Sequence, residues 1–181
     1  MLLAISRSGW RPGSPSGDRP LPTASAPAST PAAGAPNLTE AVVQRVTDGD
    51  TIVLTTGQRV RYIGIDTPEM RRREGDKWVK DPESFAEAAT EVNRELTEGK
   101  TVRLEFDAQR LDRYGRLLAY VYVDGKMVNE ALLERGMAQQ MTVPPNVKYA
   151  DHFREVAREA RLAERGLWAD REFVEQWWDR R

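Results

Sequence analysis

Two short acidic stretches lie close together in this chain, Asp48-Gly49-Asp50 and Asp66-Thr67-Pro68-Glu69, with Arg61 between them. Carboxylates gathered into one small volume repel, so one must take up a proton or several must share a cation. Hard oxygen donors of this kind suit Ca²⁺ or Mg²⁺. A guanidinium beside such a cation grips phosphate, because arginine donates two parallel hydrogen bonds to it. Either acidic stretch alone reads equally well as an ordinary polar turn, since Asp, Gly, Thr and Pro are what turns use.

The elements needed to bring these groups together are legible around them. Thr51 to Leu54 is an apolar, β-branched run, Thr55-Thr56-Gly57-Gln58 supplies turn chemistry, and Arg59 to Ile65 alternates back. A hairpin joins its own ends, so Asp50 and Asp66 can meet, with Arg61 of the second strand within side-chain reach.

With Arg61 between them the two stretches resemble the staphylococcal (micrococcal) nuclease, or thermonuclease-like, family. The resemblance runs from about Glu40 to about Trp168. It is carried by D-G-D-T at 48–51, R-Y-I-G-I-D-T-P-E at 61–69, D-R-Y-G-R at 112–116 and D-G-K-M-V-N-E-A-L-L at 124–133, in the family's order. It implies an α+β fold, mainly β: a five-stranded, partly closed OB-fold-type barrel with three α-helices. Barrels of this type bind nucleic-acid strands across one face.

The resemblance also implies a function, a Ca²⁺-dependent endonuclease that hydrolyses DNA and RNA and leaves 3′-phosphate products. Asp50, Asp66 and the backbone carbonyl of Thr67 then hold the Ca²⁺, and Asp48 shapes the edge of that site. Arg61 and Arg116 stabilise charge growing on the phosphorus, and Glu69 is the candidate base that orients or deprotonates the attacking water. Asp112, Arg113 and Tyr114 match substrate-binding positions, and a monomer is expected. Taken without the resemblance, Arg116 is a surface arginine at the end of a turn that Gly115 allows.

The chain departs from the family in one place. The stretch Gly136 to Asn146 carries no tyrosine where relatives have aromatic side chains against the nucleotide. A stacking aromatic is worth about 1–3 kcal/mol per base, so weaker binding or altered base preference is expected with the chemistry retained. A catalytically silent binding module is the second reading, and an interaction protein working through its ends is the third. Silent modules tend to lose the acidic and arginine positions, whereas Asp50, Arg61, Asp66, Glu69 and Arg116 are all present here.

Three parts are expected along the 181 residues: a tail over 1–37, a thermonuclease-like domain over 38–170 and a C-terminal helical extension over 171–181. The tail is dominated by Pro, Ala, Ser, Thr and Gly, with almost nothing to bury, which predicts disorder. Met1 to Ile5 is too short for the apolar core of a signal peptide. The spacer composition leans towards an exported protein, with an intracellular one as the alternative. No cysteine is present, which excludes disulfides, thiolate metal sites and a catalytic thiol. The single histidine, His152, falls in a helical stretch and reads as a surface or packing residue. The net charge is −1 and the tail contributes +2, so the rest of the chain carries −3. Bulk charge therefore gives no support for a nucleic-acid coat, and attraction must come from local patches.

Between Met70 and Lys80 the chain is basic and without period, and reads as a loop that either touches substrate phosphates or is merely solvated. A helix is predicted to start at Asp81, Pro82 and Glu83, to run along Phe85, Ala88, Ala89, Val92 and Leu96, and to end at Gly99. Thr101–Phe106 and Leu117–Val123 read as strands, the latter closed by the turn Asp124-Gly125. Val128–Arg135 reads as a short helix, Met137–Pro145 as irregular, and Tyr149 to Ala160 as an amphipathic helix stopped by Gly166. Phe173, Val174, Trp177 and Trp178 form an apolar stripe that packs back on the domain or meets another molecule.

Overall fold

The computed structural model describes residues 39–74, 77–80 and 85–179. The elements in chain order are β1 (Glu40–Asp48), β2 (Thr51–Leu54), β3 (Arg59–Tyr62), β4 (Ile65–Asp66), β5 (Arg71–Glu74), β6 (Lys77–Lys80) and α1 (Ala86–Thr97). They continue as β7 (Thr101–Glu105), β8 (Leu117–Val123), β9 (Lys126–Met127), α2 (Val128–Glu134), β10 (Gln139–Gln140) and α3 (Ala150–Leu162). A 3-10 turn (Gly166–Ala169) and α4 (Arg171–Asp179) follow. The expectations for the tail, for the helix start at Asp81 to Glu83 and for the side chains of Trp177 and Trp178 lie outside the described residues.

The main sheet runs β3-β2-β1-β7-β8-β9, and a parallel pairing of β3 with β8 closes five of its strands into a barrel. Closure demands a strand that serves both halves, and β1 does so. It pairs with β7 through Glu40↔Arg103 to Val42↔Thr101 and with β2 from Val43↔Leu54 to Asp48↔Thr51. Its register to β2 shifts between Val43 and Arg45 and again between Val46 and Asp48, and such irregularities bend a strand round a barrel corner. Asp124 (φ 50°) and Gly125 (φ 78°) make the tight β8–β9 turn.

The interior is apolar. Ile52, Leu54, Val60, Ile65, Val102, Leu117, Leu132 and Leu133 are fully buried in one cluster with Tyr62, Tyr120 and Phe153. Each aliphatic side chain so buried contributes about 1.5–3 kcal/mol. α3 presents Phe153, Ala157 and Ala160 inward as its period predicts, while His152 is exposed with Nε2 2.9 Å from the Glu130 carboxylate.

Four sequence expectations are corrected. Residues 71–74 and 77–80 form an antiparallel pair rather than an irregular loop. The buried face of α1 is broader than the apolar stripe: Phe85, Val92 and Leu96 pack on the core clusters and Ala89 is buried, as expected, but Ala88 is exposed and Ala86, Thr90, Asn93 and Thr97 are buried as well. Asn93 and Thr97 are usable in the core because Asn93 accepts the Tyr62 hydroxyl and the Thr97 hydroxyl donates to the Asn93 carbonyl. Met137–Pro145 is not wholly irregular, since β10 pairs with β4. α3 ends at Leu162 with Glu164 at φ 49°, four residues before Gly166. Gly166 instead meets Gly136: a Cβ on Gly136 would stand 2.0 Å from the Arg165 carbonyl oxygen. Leu167 N–H donates to the Gly136 carbonyl at 2.9 Å across this crossing. Beyond it α4 lays Phe173 against Phe85 with ring centroids 5.0 Å apart, so that end packs on the domain.

Candidate active site

The Asp48-Gly49-Asp50 turn links β1 to β2 and is fastened from three sides. The Asn93 side chain of α1 donates from Nδ2 to the Asp48 carbonyl at 3.1 Å and accepts the Tyr62 hydroxyl at 2.8 Å. Tyr62 N–H donates to the Asp50 carbonyl at 2.9 Å. Gly49 is required by space, because a Cβ there would lie 2.8 Å from both Ala89 Cβ and Thr67 Oγ1. The turn is thus pressed onto α1 and onto the second acidic stretch at once.

The Asp50 carboxylate is fully buried. Oδ1 accepts from Thr51 Oγ1 at 3.1 Å and from Arg61 Nη1, and Oδ2 accepts from the Thr67 N–H at 3.1 Å. Arg61 Nη2 donates to Asp66 Oδ1 at 2.7 Å, and Nη1 lies 3.9 Å from Glu69 Oε1. One guanidinium therefore ties both ends of the hairpin, as its place in β3 opposite Thr51 requires. Asp66 is held from behind as well: its strand partner is Gln139, whose Nε2 lies 3.3 Å from Asp66 Oδ2.

The electrostatics follow from burial. Desolvation raises the Asp50 carboxyl above its ordinary value, Asp66 adds to the rise, and Arg61 opposes it. Desolvation works against the charge on Arg61, but Asp50, Asp66 and Glu69 outweigh it and hold the guanidinium above its usual range. Glu69 is pushed up to about 7, first by desolvation and then by the charge of Asp50, with Arg61 opposing. Its side chain is nonetheless 41% exposed, so it faces outward from the cluster.

Asp50, Asp66 and the Thr67 carbonyl are hard oxygen donors of the type that suits Ca²⁺. Gln139 Oε1 is buried beside Asp66 with no hydrogen-bond partner among the described residues, and the burial that raises Asp50 leaves it in need of more positive charge. The donor set fits a hard divalent cation on those grounds. Among the described residues no three His, Cys, Asp or Glu side chains converge as ligands, so water or substrate oxygens would have to complete such a shell.

A second cluster sits on the turn before β8. Asp112 Oδ1 accepts the backbone N–H groups of Tyr114 at 2.8 Å and Arg116 at 3.0 Å, while Oδ2 accepts Arg116 Nε at 2.6 Å. Desolvation would raise Asp112, but these bonds from Arg116 and Tyr114 outweigh it and hold the carboxyl below its ordinary value. Gly115, at φ 73°, allows the chain to double back here. Tyr114 is 60% exposed, with the Arg113 guanidinium 4.8 Å and that of Arg116 5.6 Å from its ring centre. Arg61 pairs with Leu118, two residues beyond Arg116, so the turn that carries Arg116 leads directly into the strand beside β3.

The structure thus gathers Asp50, Arg61, Asp66, Thr67 and Glu69 in one cluster and Asp112, Arg113, Tyr114 and Arg116 in another, with Asp48 at the rim of the first. Sequence reasoning missed Asn93 and Gln139. No signal marks Gln139, whereas Asn93 was detectable only as a polar residue interrupting an apolar helix.

The family model described as Staphylococcal nuclease homologue matches residues 59–170. The chain is 41% identical over 146 residues to the SPbeta prophage-derived endonuclease YokF of Bacillus subtilis (strain 168), covering 76% of this chain and 46% of that protein. It is 42% identical over 146 residues to Endonuclease YncB of the same organism, covering 76% of this chain and 65% of that one. It is 34% identical over 131 residues to the Thermonuclease of Staphylococcus hyicus, covering 71% of this chain and 75% of that one. The chain therefore spans about half of one Bacillus relative and just under two thirds of the other.

Proposed function

This chain belongs to the staphylococcal nuclease family, and we propose that it is a Ca²⁺-dependent endonuclease that cleaves DNA and RNA to 3′-phosphate products. The nuclease relatives support the hydrolase class, and the single observation that carries the reading is Arg61 bridging Asp50 and Asp66 beside Glu69. We take residues 38–170 as the acting domain, working as a monomer, with 171–181 as an extension.

Asp50, Asp66 and the Thr67 carbonyl would hold the Ca²⁺, which when bound supplies Lewis-acid stabilisation of negative charge on the phosphoryl oxygens. Arg61, fixed by two carboxylates, presents its remaining N–H edge to the phosphate as charge develops. Glu69 is the candidate base: its carboxylate lies near Arg61 and is partly exposed, placed to orient the attacking water or take its proton. The water oxygen bonds to phosphorus as the bond to the 5′ oxygen breaks, leaving a 3′-phosphate and a 5′-hydroxyl. Arg116 supplies the second guanidinium from the turn before the neighbouring strand, and Asp112 sets its direction. Arg113 and Tyr114 border the nucleotide.

The test is cleavage of single-stranded DNA in Ca²⁺, in EDTA, and in Ca²⁺ by Arg61→Ala. Activity that needs Ca²⁺ and falls by orders of magnitude in the variant is expected. Turnover that survives EDTA would remove the cation from the mechanism, and folded protein inactive with every metal would leave a binding module.

A further inference from the structure

The strand β10 is short, but its register to β4 is fixed at successive points. Gln139 pairs with Asp66 and Gln140 with Ile65, and the Met141 N–H donates to the Gly64 carbonyl at 3.0 Å. Ala138, fully buried in the core, anchors the strand at its start. Residues paired directly across an antiparallel ladder project to the same face, so Gln139 stands beside Asp66 by construction. Its side chain is buried, and Nε2 lies 3.3 Å from Asp66 Oδ2. An ionised carboxylate accepts and cannot donate, so the amide turns its nitrogen towards Asp66 and its oxygen away.

The two glutamines of β10 use their amides differently. Gln140 is half-buried, and its Nε2 donates to Thr142 Oγ1 two residues along its own chain. Gln139 Oε1 is buried and accepts from no group among the described residues. A buried acceptor left unmade destabilises a fold in a way that an apolar side chain of similar size does not. Such an atom has a use where a ligand brings the donor.

Charge says which ligand. Asp50, Asp66 and Glu69 bring three carboxylates to the guanidinium of Arg61, more negative charge than it can balance. A hard divalent cation supplies the remainder, and it polarises its bound waters into strong donors. An amide oxygen can meet such a water without adding a further negative charge to groups that already repel. Arg61 holds Asp66 Oδ1 and Gln139 holds Oδ2, so this carboxylate is aimed from both sides. Partners behind a metal ligand fix its direction and tune its affinity.

We propose that Gln139 is a positioning residue of the cation site: its Nε2 fixes Asp66, and its Oε1 accepts a hydrogen bond from water bound to the cation. The inference rests on the Ca²⁺ reading of that site, and cation binding can be measured without turnover.

The experiment titrates calcium chloride into the full chain without nucleic acid, reading the heat of binding and the thermal unfolding midpoint. Gln139→Met keeps the length of the side chain and removes both polar atoms, and it should raise the Kd for Ca²⁺ about tenfold. In EDTA it should melt close to wild type, because the bond lost to Asp66 is offset by removal of the unmet acceptor. Gln139→Glu keeps an oxygen at that position and adds charge. It should bind Ca²⁺ at least as tightly as wild type while melting lower in EDTA, where the added carboxylate has no cation to face. The Ca²⁺ concentration for half-maximal cleavage should follow Kd across the three proteins. An unchanged Kd in Gln139→Met, or equal weakening by both substitutions, would overturn the assignment. A melt of Gln139→Met in EDTA far below wild type would make Gln139 a packing residue instead. If wild-type protein gives neither heat nor a raised midpoint with Ca²⁺, the cation reading fails and takes this inference with it. If wild type binds Ca²⁺ and Gln139→Met binds it equally, this inference alone fails.

Discussion

Arg61 stands on β3 and Arg116 on the turn that leads into β8, the strand paired with β3, and the two are held in opposite ways. Arg61 is enclosed: its side chain is 12% exposed, it bridges two buried carboxylates and it lies near a third. Arg116 is presented: it sits on a turn, its side chain is 25% exposed, and it is tied to Asp112 of its own loop. The first is positioned by the barrel and helps to hold the barrel's two acidic ends together. The second is positioned by four residues of local chain. Moving Arg61 disturbs the fold, whereas moving Arg116 disturbs little beyond a turn, so function and stability are entangled at one arginine and separable at the other.

That contrast is open to test by substitution. Arg61→Ala should lower cleavage about 10³-fold, as removal of a fixed charge-stabilising donor does. It should also destabilise the chelator-treated protein by about 3–5 kcal/mol, because two buried carboxylates lose their cation. Chemical denaturation of both proteins in EDTA reads the second effect, and equal stability would remove Arg61's structural role. Arg116→Ala should cost about 10²-fold in kcat. Its unfolding free energy should change by less than about 1 kcal/mol, the range of a partly solvated ion pair. A large stability loss there would erase the distinction.

Asp112→Asn probes the device that aims Arg116. The amide can still accept backbone N–H bonds but no longer pairs with a guanidinium, so kcat should fall about tenfold through misorientation. Restored activity in free guanidinium would show that aiming, not folding, was lost. The smallest effect is a pH dependence. Asp112 has a folded pKa below its ordinary 3.8, so its contribution to stability is fully present above that value and is lost as pH falls through the lowered one. The stability gap between wild type and Asp112→Asn should therefore narrow with acid. A gap that is constant from neutral pH to pH 2.5 would contradict the role of the ionised carboxylate.

Much of the first cluster was legible in the sequence because it is built at the two ends of one hairpin. Local alternation set β2 and β3, turn residues joined them, and closure of the hairpin followed from geometry. β1 was not legible, since its bulges break the alternation that identifies a strand, and only the barrel as a whole explains them. The polar ridge of α1 was hidden for a related reason: Asn93 is buried between the Tyr62 hydroxyl and the Asp48 carbonyl, partners that only the folded barrel places opposite it. Arg71 to Lys80 read as a loop because charges mask a strand pattern that the pairing itself supplies. Gln139 could not have been found locally, as its meaning lies in a strand 73 residues earlier.

The β4–β10 pairing sets an order of events during synthesis. A growing chain offers Asp50, Arg61 and Asp66 early, but Asp66 gains its strand neighbour only when residue 139 of 181 has been made and freed. The parallel β3–β8 seam likewise waits for Leu117. A ribosome therefore carries the acidic turn and its arginine unfinished while the stretch from residue 67 to residue 139 is made. For a chain proposed to cut RNA, that delay keeps the completed site away from the message that encodes it.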